Sequence, residues 1–156
     1  MTVIDIHTHA YTRKYLEILR EQGGDYGLKI RPDGFEEIFK GETPVAFPQP
    51  GHFDYDIRIR QMDDTAIDMS IVSLTCPNVY WGGKNTSIMA AQESNNAMAE
   101  AQTAYPDRLR WFTSLPWEYP DAAIEYDDLL ANLDDEEDGE DGSSSMSEDD
   151  SEGADD

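Results

Sequence analysis

The sequence predicts an α/β fold built on a parallel sheet, and three observations support that class. Short apolar runs that suit strands occur at residues 3–8, 69–74 and 109–115. Each run is followed by a segment with apolar residues at helical spacing. This order of strand and helix occurs three times, as in βα units joined by right-handed crossovers. Three strands would leave both edges of such a sheet unpaired, so the fold is expected to be incomplete.

The first unit combines a regular start with a long excursion. Its strand at residues 3–8 leads into a short helix at residues 12–22, with Tyr15, Leu16 and Leu19 on one side. Glycines and prolines then punctuate the chain as far as the second unit, which predicts a long loop. A long irregular segment inside a compact domain usually carries function or covers a site.

The second and third units are more regular. Asp54 is the predicted N-cap of a helix at residues 55–66. The strand at residues 69–74 is short and mostly apolar, which suits a strand buried on both faces. The remaining elements are predicted at residues 87–104 (helix), 109–115 (strand) and 121–133 (helix).

Acidic residues concentrate at the C-terminal end. Sixteen of the 34 Asp and Glu residues, and none of the 11 Lys and Arg residues, lie in residues 125–156; the net charge of −23 is therefore only −7 over residues 1–124. Such a segment buries too little apolar surface to offset the entropy of ordering it. The sequence therefore predicts a domain at residues 1–125 and a disordered acidic tail at residues 126–156. The tail is interpreted as a solubilising extension, a gene-model artefact or a docking segment for a basic partner.

Composition also bounds the partners and the compartment. Strong negative charge disfavours binding to nucleic acid or to an anionic membrane. The N-terminus has no basic region of the signal-peptide type, and no apolar run approaches the roughly 18 residues of a membrane span. We therefore expect a cytoplasmic protein. Cys76 is the only cysteine, which excludes an intrachain disulfide. We expect it to be a small buried apolar residue, and ligation of a soft metal ion is the alternative.

Two histidines close the first strand, in the stretch IDIHTHAY. Because side chains alternate along a strand, His7 and His9 should share one face at a separation of about 6.5–7 Å, with Asp5 one step deeper. Two such imidazoles can converge on a divalent ion, and parallel α/β folds place their ligand sites at the carboxyl ends of strands. A bare His-x-His pair is a weak motif, so histidines that bind no metal remain an alternative at this point.

Four stretches carry a more specific signal: IDIHTHAY, RIRQMDDTAIDMSIVSLTCPNVYW, NNAMAEAQTAYPDRLRWFTSLPW and YPDAAIE. They contain an Arg-x-x-x-Met-Asp helix, an Asn-rich helix ending in Tyr-Pro-x-Arg, and a strand that closes in Leu-Pro. In this order they resemble the amidohydrolase-2 family, which includes the aminocarboxymuconate-semialdehyde decarboxylases. The resemblance extends from residue 2 to about residue 125.

The resemblance implies the N-terminal part, about three βα units, of a (β/α)8 TIM barrel with a divalent metal, usually zinc, at its carboxyl mouth. It implies that His7 and His9 are metal ligands. The family's third ligand histidine, catalytic histidine and metal-binding aspartate come from later strands and cannot be placed in this sequence. Since a whole barrel needs roughly 250 residues, we expect a truncated chain with an incomplete site. His52 precedes the second strand and is expected to be an exposed loop residue.

Other residues are weaker candidates. Asn78, Trp81 and Trp117 follow the second and third strands, where the family's loops line the substrate pocket; packing between loops is the alternative role for the aromatic residues. Arg58 and Arg60 are expected to pair with aspartates at the surface. The segment GETPVAFPQPGHF contains no arginine, whereas members that bind a muconate-type carboxylate draw one from this excursion, which argues against the muconate semialdehyde as substrate.

Three functions are compatible with these features. The first is a metal-dependent decarboxylase or hydrolase acting on a small unsaturated or aromatic carboxylate. The alternative is a non-catalytic fragment that needs self-association or a complementing chain. A His-x-His metallo-phosphoesterase is less favoured, because phosphate chemistry needs cationic clamps and further metal ligands, whereas the net charge here is −23.

Overall fold

The computed structural model describes residues 1–125, which form an α/β fold with two three-stranded sheets. The strands are β1 (Ile4–Ala10), β2 (Tyr26–Ile30), β3 (Glu36–Lys40), β4 (Thr43–Ala46), β5 (Met69–Leu74) and β6 (Leu109–Trp111). The helices are α1 (Arg13–Gln22), α2 (Tyr55–Asp64) and α3 (Lys84–Ala104), with a 3₁₀ turn at Pro50–His52. Residues 120–125 are also helical. The predicted acidic tail and the end of the last predicted helix lie outside the described residues.

The predicted parallel sheet is confirmed. Its strand order is β1-β5-β6, and both pairings are parallel. The central strand β5 is buried at every second residue, so the prediction of burial on both faces is wrong. Within residues 1–125, the outer edges of β1 and β6 have no neighbouring strand. In the part of the chain that the structure describes, the parallel sheet is therefore open on both sides.

The excursion after α1 is not the long loop that was predicted. It contains the antiparallel sheet β2-β3-β4, which covers residues 26–46. The first turn is closed by a hydrogen bond of 2.8 Å from the Arg31 N–H to the Phe35 carbonyl, and Gly34 lies in the left-handed region at a φ of 86°. Glycine adopts that conformation without steric cost. Pro32 therefore marks a hairpin turn between β2 and β3, whereas Pro44 lies within β4.

Caps confirm the predicted starts of α1 and α2, whereas α3 begins at Lys84, three residues before its predicted start. The Asp54 carboxylate accepts a hydrogen bond of 3.0 Å from the Ile57 N–H at the start of α2. At the start of α1, the Thr12 hydroxyl oxygen accepts one of 2.8 Å from the Tyr15 N–H. Each cap satisfies one of the backbone donors that a helix N-terminus leaves without a partner. The chain therefore leaves β1 and the 3₁₀ turn in defined directions.

The core consists of two buried clusters beside the parallel sheet. One packs α1 against β3, the start of α3 and the end of β5; its large members are Tyr11, Tyr15, Leu16, Ile18, Leu19, Ile38, Leu74 and Trp81. The other packs the sheet against α2 and α3; its members are Ala10, Met62, Val72, Met98, Ala101 and Leu109. The stripe Tyr15, Leu16 and Leu19 predicted for α1 is buried as expected.

The third strand is shorter than predicted, because β6 ends at Trp111. Beyond it, the side chain of Asn95 on α3 binds both backbone groups of Ser114, by hydrogen bonds of 3.0 Å and 2.9 Å. These bonds replace pairing with a neighbouring strand and hold the segment against α3. No helix within residues 1–125 is long and apolar enough to span a membrane.

Candidate functional site

The candidate site lies on the second half of β1. This strand pairs with β5, and its carboxyl half carries His7 and His9. The two imidazole rings lie edge to face, with their centroids 4.9 Å apart and an interplanar angle of 74°. This separation is shorter than the spacing of about 6.5–7 Å between alternate residues of a strand. The two rings therefore converge on the same side of the strand.

The strand is irregular just before this pair. Asp5 pairs with Ser70, whereas Thr8 pairs with Val72, so β1 has one more residue than β5 over this interval. An extra residue of this kind interrupts the alternation of side chains between the two faces. Strict alternation therefore no longer places Asp5 beside the histidines. One of its carboxylate oxygens instead accepts a hydrogen bond of 3.0 Å from the His7 N–H.

His9 is held by the neighbouring strand. Its Nδ1 lies 3.2 Å from the Ser73 hydroxyl oxygen, and that hydroxyl is 3.4 Å from the Thr8 carbonyl. If the Ser73 hydroxyl donates to this carbonyl, the His9 Nδ1–H donates to Ser73, and the Nε2 lone pair is left free. Burial lowers the pKa of His9, and the charges of His7 and Arg58 lower it further, whereas the Ser73 backbone and the Asp5 charge act in the opposite direction. The ring is thus held in its neutral form, the form that binds metal ions.

Arg58 contradicts its predicted surface role. It lies on α2 and is only 6% exposed, and its guanidinium donates to the Thr8 hydroxyl and to the His9 carbonyl. Spacing along the helix explains the burial, because Arg58 falls on the same stripe as Tyr55 and Met62. The predicted aspartate pairing for this residue is wrong, and that stripe is the signal that could have revealed it. Arg60 is exposed, as expected, but within residues 1–125 it forms no ion pair with an aspartate.

Two further residues differ from their predicted environments. His52 is half-buried, not exposed: its carbonyl accepts a hydrogen bond of 2.9 Å from the Tyr11 N–H, and its Nδ1 accepts one of 3.2 Å from the Gln49 N–H. Burial lowers the pKa of His52, with smaller contributions from Arg58 and His9. Cys76 is exposed, so its predicted burial is also wrong.

Comparison with known proteins gives consistent matches. A gamma-resorcylate decarboxylase from Rhodococcus jostii (strain RHA1) is 38% identical over 71 residues, which are 45% of this chain and 22% of that protein. The apo structure of the Metarhizium anisopliae IDCase matches 85% of this chain and 40% of its own, with a TM-score of 0.71 and 23% identity. A structure described as an amidohydrolase II matches 80% of this chain and 35% of its own, with a TM-score of 0.58 and 28% identity.

A further solved structure adds a metal. It is a dihydroxybenzoic acid decarboxylase from Polaromonas sp. JS666 with bound manganese and the inhibitor 2-nitroresorcinol; it matches 86% of this chain and 36% of its own, with a TM-score of 0.59 and 25% identity. No family model matches the chain. The resemblance to the amidohydrolase-2 family is confirmed. The match is partial, because the chain spans about a fifth of the length of the curated relatives it matches.

The three residues predicted at the pocket of an amidohydrolase-2 decarboxylase occupy different environments. Asn78 uses its side chain locally: its Oδ1 accepts from the Val79 N–H at 2.9 Å and its Nδ2 donates to the Leu74 carbonyl at 3.3 Å. Trp81 is 5% exposed in the core, and its indole N–H donates to the Asn78 carbonyl at 2.7 Å. Trp117 is 64% exposed. Asn78 and Trp81 therefore meet in the turn after β5, and the substrate role of all three stays a prediction.

The histidine pair fits part of a metal centre. Neutral imidazole nitrogens are ligands for zinc and for several other divalent ions. A catalytic zinc ordinarily takes three ligands from protein. Residues 1–125 contain no group of three or more His, Cys, Asp or Glu side chains that could hold a metal ion. The described residues supply two donors of the right kind and do not by themselves complete a centre.

Proposed function

We propose that this chain forms the N-terminal βα units of a (β/α)8-barrel, metal-dependent decarboxylase that acts on a small aromatic carboxylate. In this proposal His7 and His9 are two of the metal ligands. The observation that carries it is the convergence of the two rings, with centroids 4.9 Å apart, on the first strand of a parallel sheet. The relatives support the reaction class, because the names of several of them describe decarboxylases of hydroxylated benzoates.

The reaction requires stabilisation of negative charge as carbon dioxide leaves an aromatic carboxylate. A divalent ion, when bound, supplies this by polarising the substrate oxygens. This chain's contribution is to hold the two imidazoles close together on β1, with the His9 ring oriented by its contact with Ser73 and with its pKa lowered by burial. The family resemblance favours zinc, and the manganese in one relative supports a broader choice of ion. We therefore propose a divalent cation and test both metals.

The remaining ligands come from outside residues 1–125 in this proposal. The open edges of β1 and β6 support it, because unpaired strands of a parallel sheet ordinarily pair with further strands. Apolar side chains beside these edges point to the same need for cover: Ile4 is 49% exposed, Ile6 68% and Phe112 57%. We further propose that residues 1–125 form the barrel portion and that residues 126–156 form a separate acidic tail.

Metal titration tests the proposed site. Purified chain is titrated calorimetrically with Zn²⁺ and, separately, with Mn²⁺, alongside a His7→Ala/His9→Ala double variant. His52→Ala is the matched control, because it removes the third histidine of the chain. We expect binding by the parent chain and by His52→Ala, and loss of that binding in the double variant. Equal binding by the double variant, or no binding above it by the parent chain, would contradict the proposed role of the pair.

An activity assay tests the reaction class. The metal-loaded chain is mixed with gamma-resorcylate, the substrate named by the curated relatives, and loss of the aromatic acid is followed by absorbance. Turnover that requires both His7 and His9 would support a decarboxylase. Metal binding without turnover would instead favour the second candidate, a non-catalytic chain that needs a complementing polypeptide. The open sheet edges favour that candidate, and a monomeric chain that unfolds cooperatively would count against it.

A further inference from the structure

The buried arginine of α2 has no carboxylate partner among residues 1–125. Arg58 is 6% exposed, and within residues 1–125 no Asp or Glu lies within ion-pair distance of its guanidinium. Its nearest aromatic partner is Tyr55, whose ring centroid is 5.7 Å from the guanidinium carbon. Buried charges are ordinarily paired or bound by several hydrogen bonds, because desolvation penalises them strongly. The groups that Arg58 binds therefore indicate what the residue does.

Those groups belong to two consecutive residues of β1. One terminal nitrogen donates to the Thr8 hydroxyl, and the other donates to the His9 carbonyl. Both contacts follow directly after the interval at which β1 loses its register with β5. A planar guanidinium presents two parallel donors in a fixed geometry, which a lysine ammonium does not. The fork therefore connects α2 to the Thr8 side chain and to the His9 backbone, just after the irregularity of the strand.

We infer that Arg58 is a positioning residue for the histidine pair: its two donors hold the end of β1 in the conformation that sets the His9 ring against His7 and Ser73. The contacts form one chain, from the guanidinium to the His9 backbone and from the His9 ring to Ser73 at 3.2 Å and to the His7 ring at 4.9 Å between centroids. The expected effect of Arg58 on metal affinity rests on the proposed function. Its expected effect on the arrangement of the His7 and His9 rings is independent of that function.

The test compares two arginines of the same helix. Arg58→Lys keeps the charge and loses the fork, whereas Arg60→Lys makes the same change at an exposed position. Thr8→Val removes the hydroxyl that accepts from Arg58 while keeping the shape of the side chain. This variant tests the role of Arg58 if Arg58→Lys fails to fold. Folding of each variant is checked by near-ultraviolet circular dichroism.

The first measurement needs no metal. It is the nuclear Overhauser effect between ring protons of His7 and His9, together with the Nδ1 chemical shift of His9. We expect the ring-to-ring effect to weaken and the Nδ1 shift to move in Arg58→Lys and Thr8→Val, and both to be unchanged in Arg60→Lys. Folded Arg58→Lys and Thr8→Val chains that retain both signals would overturn the inference.

The second measurement is zinc affinity. Loss of residues that orient metal ligands typically weakens metal binding by about 10–100-fold, and we expect a loss in that range for Arg58→Lys relative to Arg60→Lys. Failure of the parent chain to bind zinc would contradict the proposed function, and the ring measurement would still decide the role of Arg58. Equal affinity in the two lysine variants, with zinc bound by the parent chain, would contradict positioning by Arg58.

Discussion

Replacing Asn95 by alanine should destabilise the fold more than the same substitution at an exposed position of α3. Asn95 is 1% exposed and Ser114 is 5% exposed. The amide of Asn95 donates to the Ser114 carbonyl at 3.0 Å and accepts from the Ser114 N–H at 2.9 Å. The substitution therefore leaves two buried backbone groups without these partners.

The magnitude follows from those two groups. Leaving a buried donor or acceptor unsatisfied costs about 1–3 kcal/mol each, and the better helix propensity of alanine returns at most about 0.7 kcal/mol. We therefore expect Asn95→Ala to lower the free energy of unfolding by about 2–5 kcal/mol. Asn96→Ala is the matched control, because Asn96 is the next residue on the helix and is exposed. The propensity gain is the same in both variants and cancels between them.

Urea unfolding followed by far-ultraviolet circular dichroism measures the difference. The midpoint should fall in Asn95→Ala with an unchanged slope, whereas Asn96→Ala should unfold near the parent midpoint. A difference of less than 0.5 kcal/mol, on the order of an ordinary surface substitution, would refute the view that this amide bridge holds the segment after β6 against α3.

Three smaller predictions concern single groups. Asp54→Ala should lower the free energy of unfolding by about 1 kcal/mol by removing the N-cap of α2, with Asp54→Asn near the parent value in the same urea assay; equal losses in both would show that the cap is not the cause. Burial lowers the pKa of His52 below 6.5. The neutral His52 ring therefore contributes stability above pH 6.5, and this contribution is lost as the pH falls through the lowered pKa. A proton NMR titration of His52 with a midpoint above 6.5 would contradict this. Burial raises the pKa of Tyr15 well above 10, so the folded state should lose stability as the pH rises above 10, where Tyr15 ionises in the unfolded chain. Absorbance at alkaline pH should show that Tyr15 ionises only as the chain unfolds. Ionisation of Tyr15 in a chain that is still folded would contradict this prediction.

The regular elements could be predicted from local signals. β5 was predicted at the residues where it occurs, because a compact apolar run lies between two turns. The start of α2 follows from Asp54, whose carboxylate can cap the helix from within the same few residues. These signals depend only on residues that are close together in the sequence, so the sequence alone is sufficient to predict these elements.

The excursion shows where local interpretation was too coarse. Pro32 predicts a break within a long loop, yet it lies with Asp33 and Gly34 between two paired strands, β2 and β3. The combination of proline, aspartate and glycine is a turn signal as much as a loop signal. Only the pairing of the flanking residues across the turn distinguishes the two, and that pairing depends on contacts beyond the segment.

The site shows a different limit. The resemblance identified His7 and His9, and the structure brings their rings together. The burial of Arg58 depends on α2 packing against β1, which connects residues about fifty positions apart. The interruption of alternation after Asp5 depends on register with β5. Both are tertiary features. The sequence therefore identifies the histidines but does not reveal the contacts that hold them in place.

Site-resolved NMR of the three histidines tests the central claim most directly. The imidazole nitrogens of His7, His9 and His52 are followed as Zn²⁺ is added to the parent chain, with His52 as an internal control. The proposed centre predicts that one nitrogen of His7 and one of His9 shift together at the same zinc concentration, while those of His52 do not. A shift at His52 alone, or no shift at His7 and His9 when zinc is bound, would contradict a metal centre built on this pair.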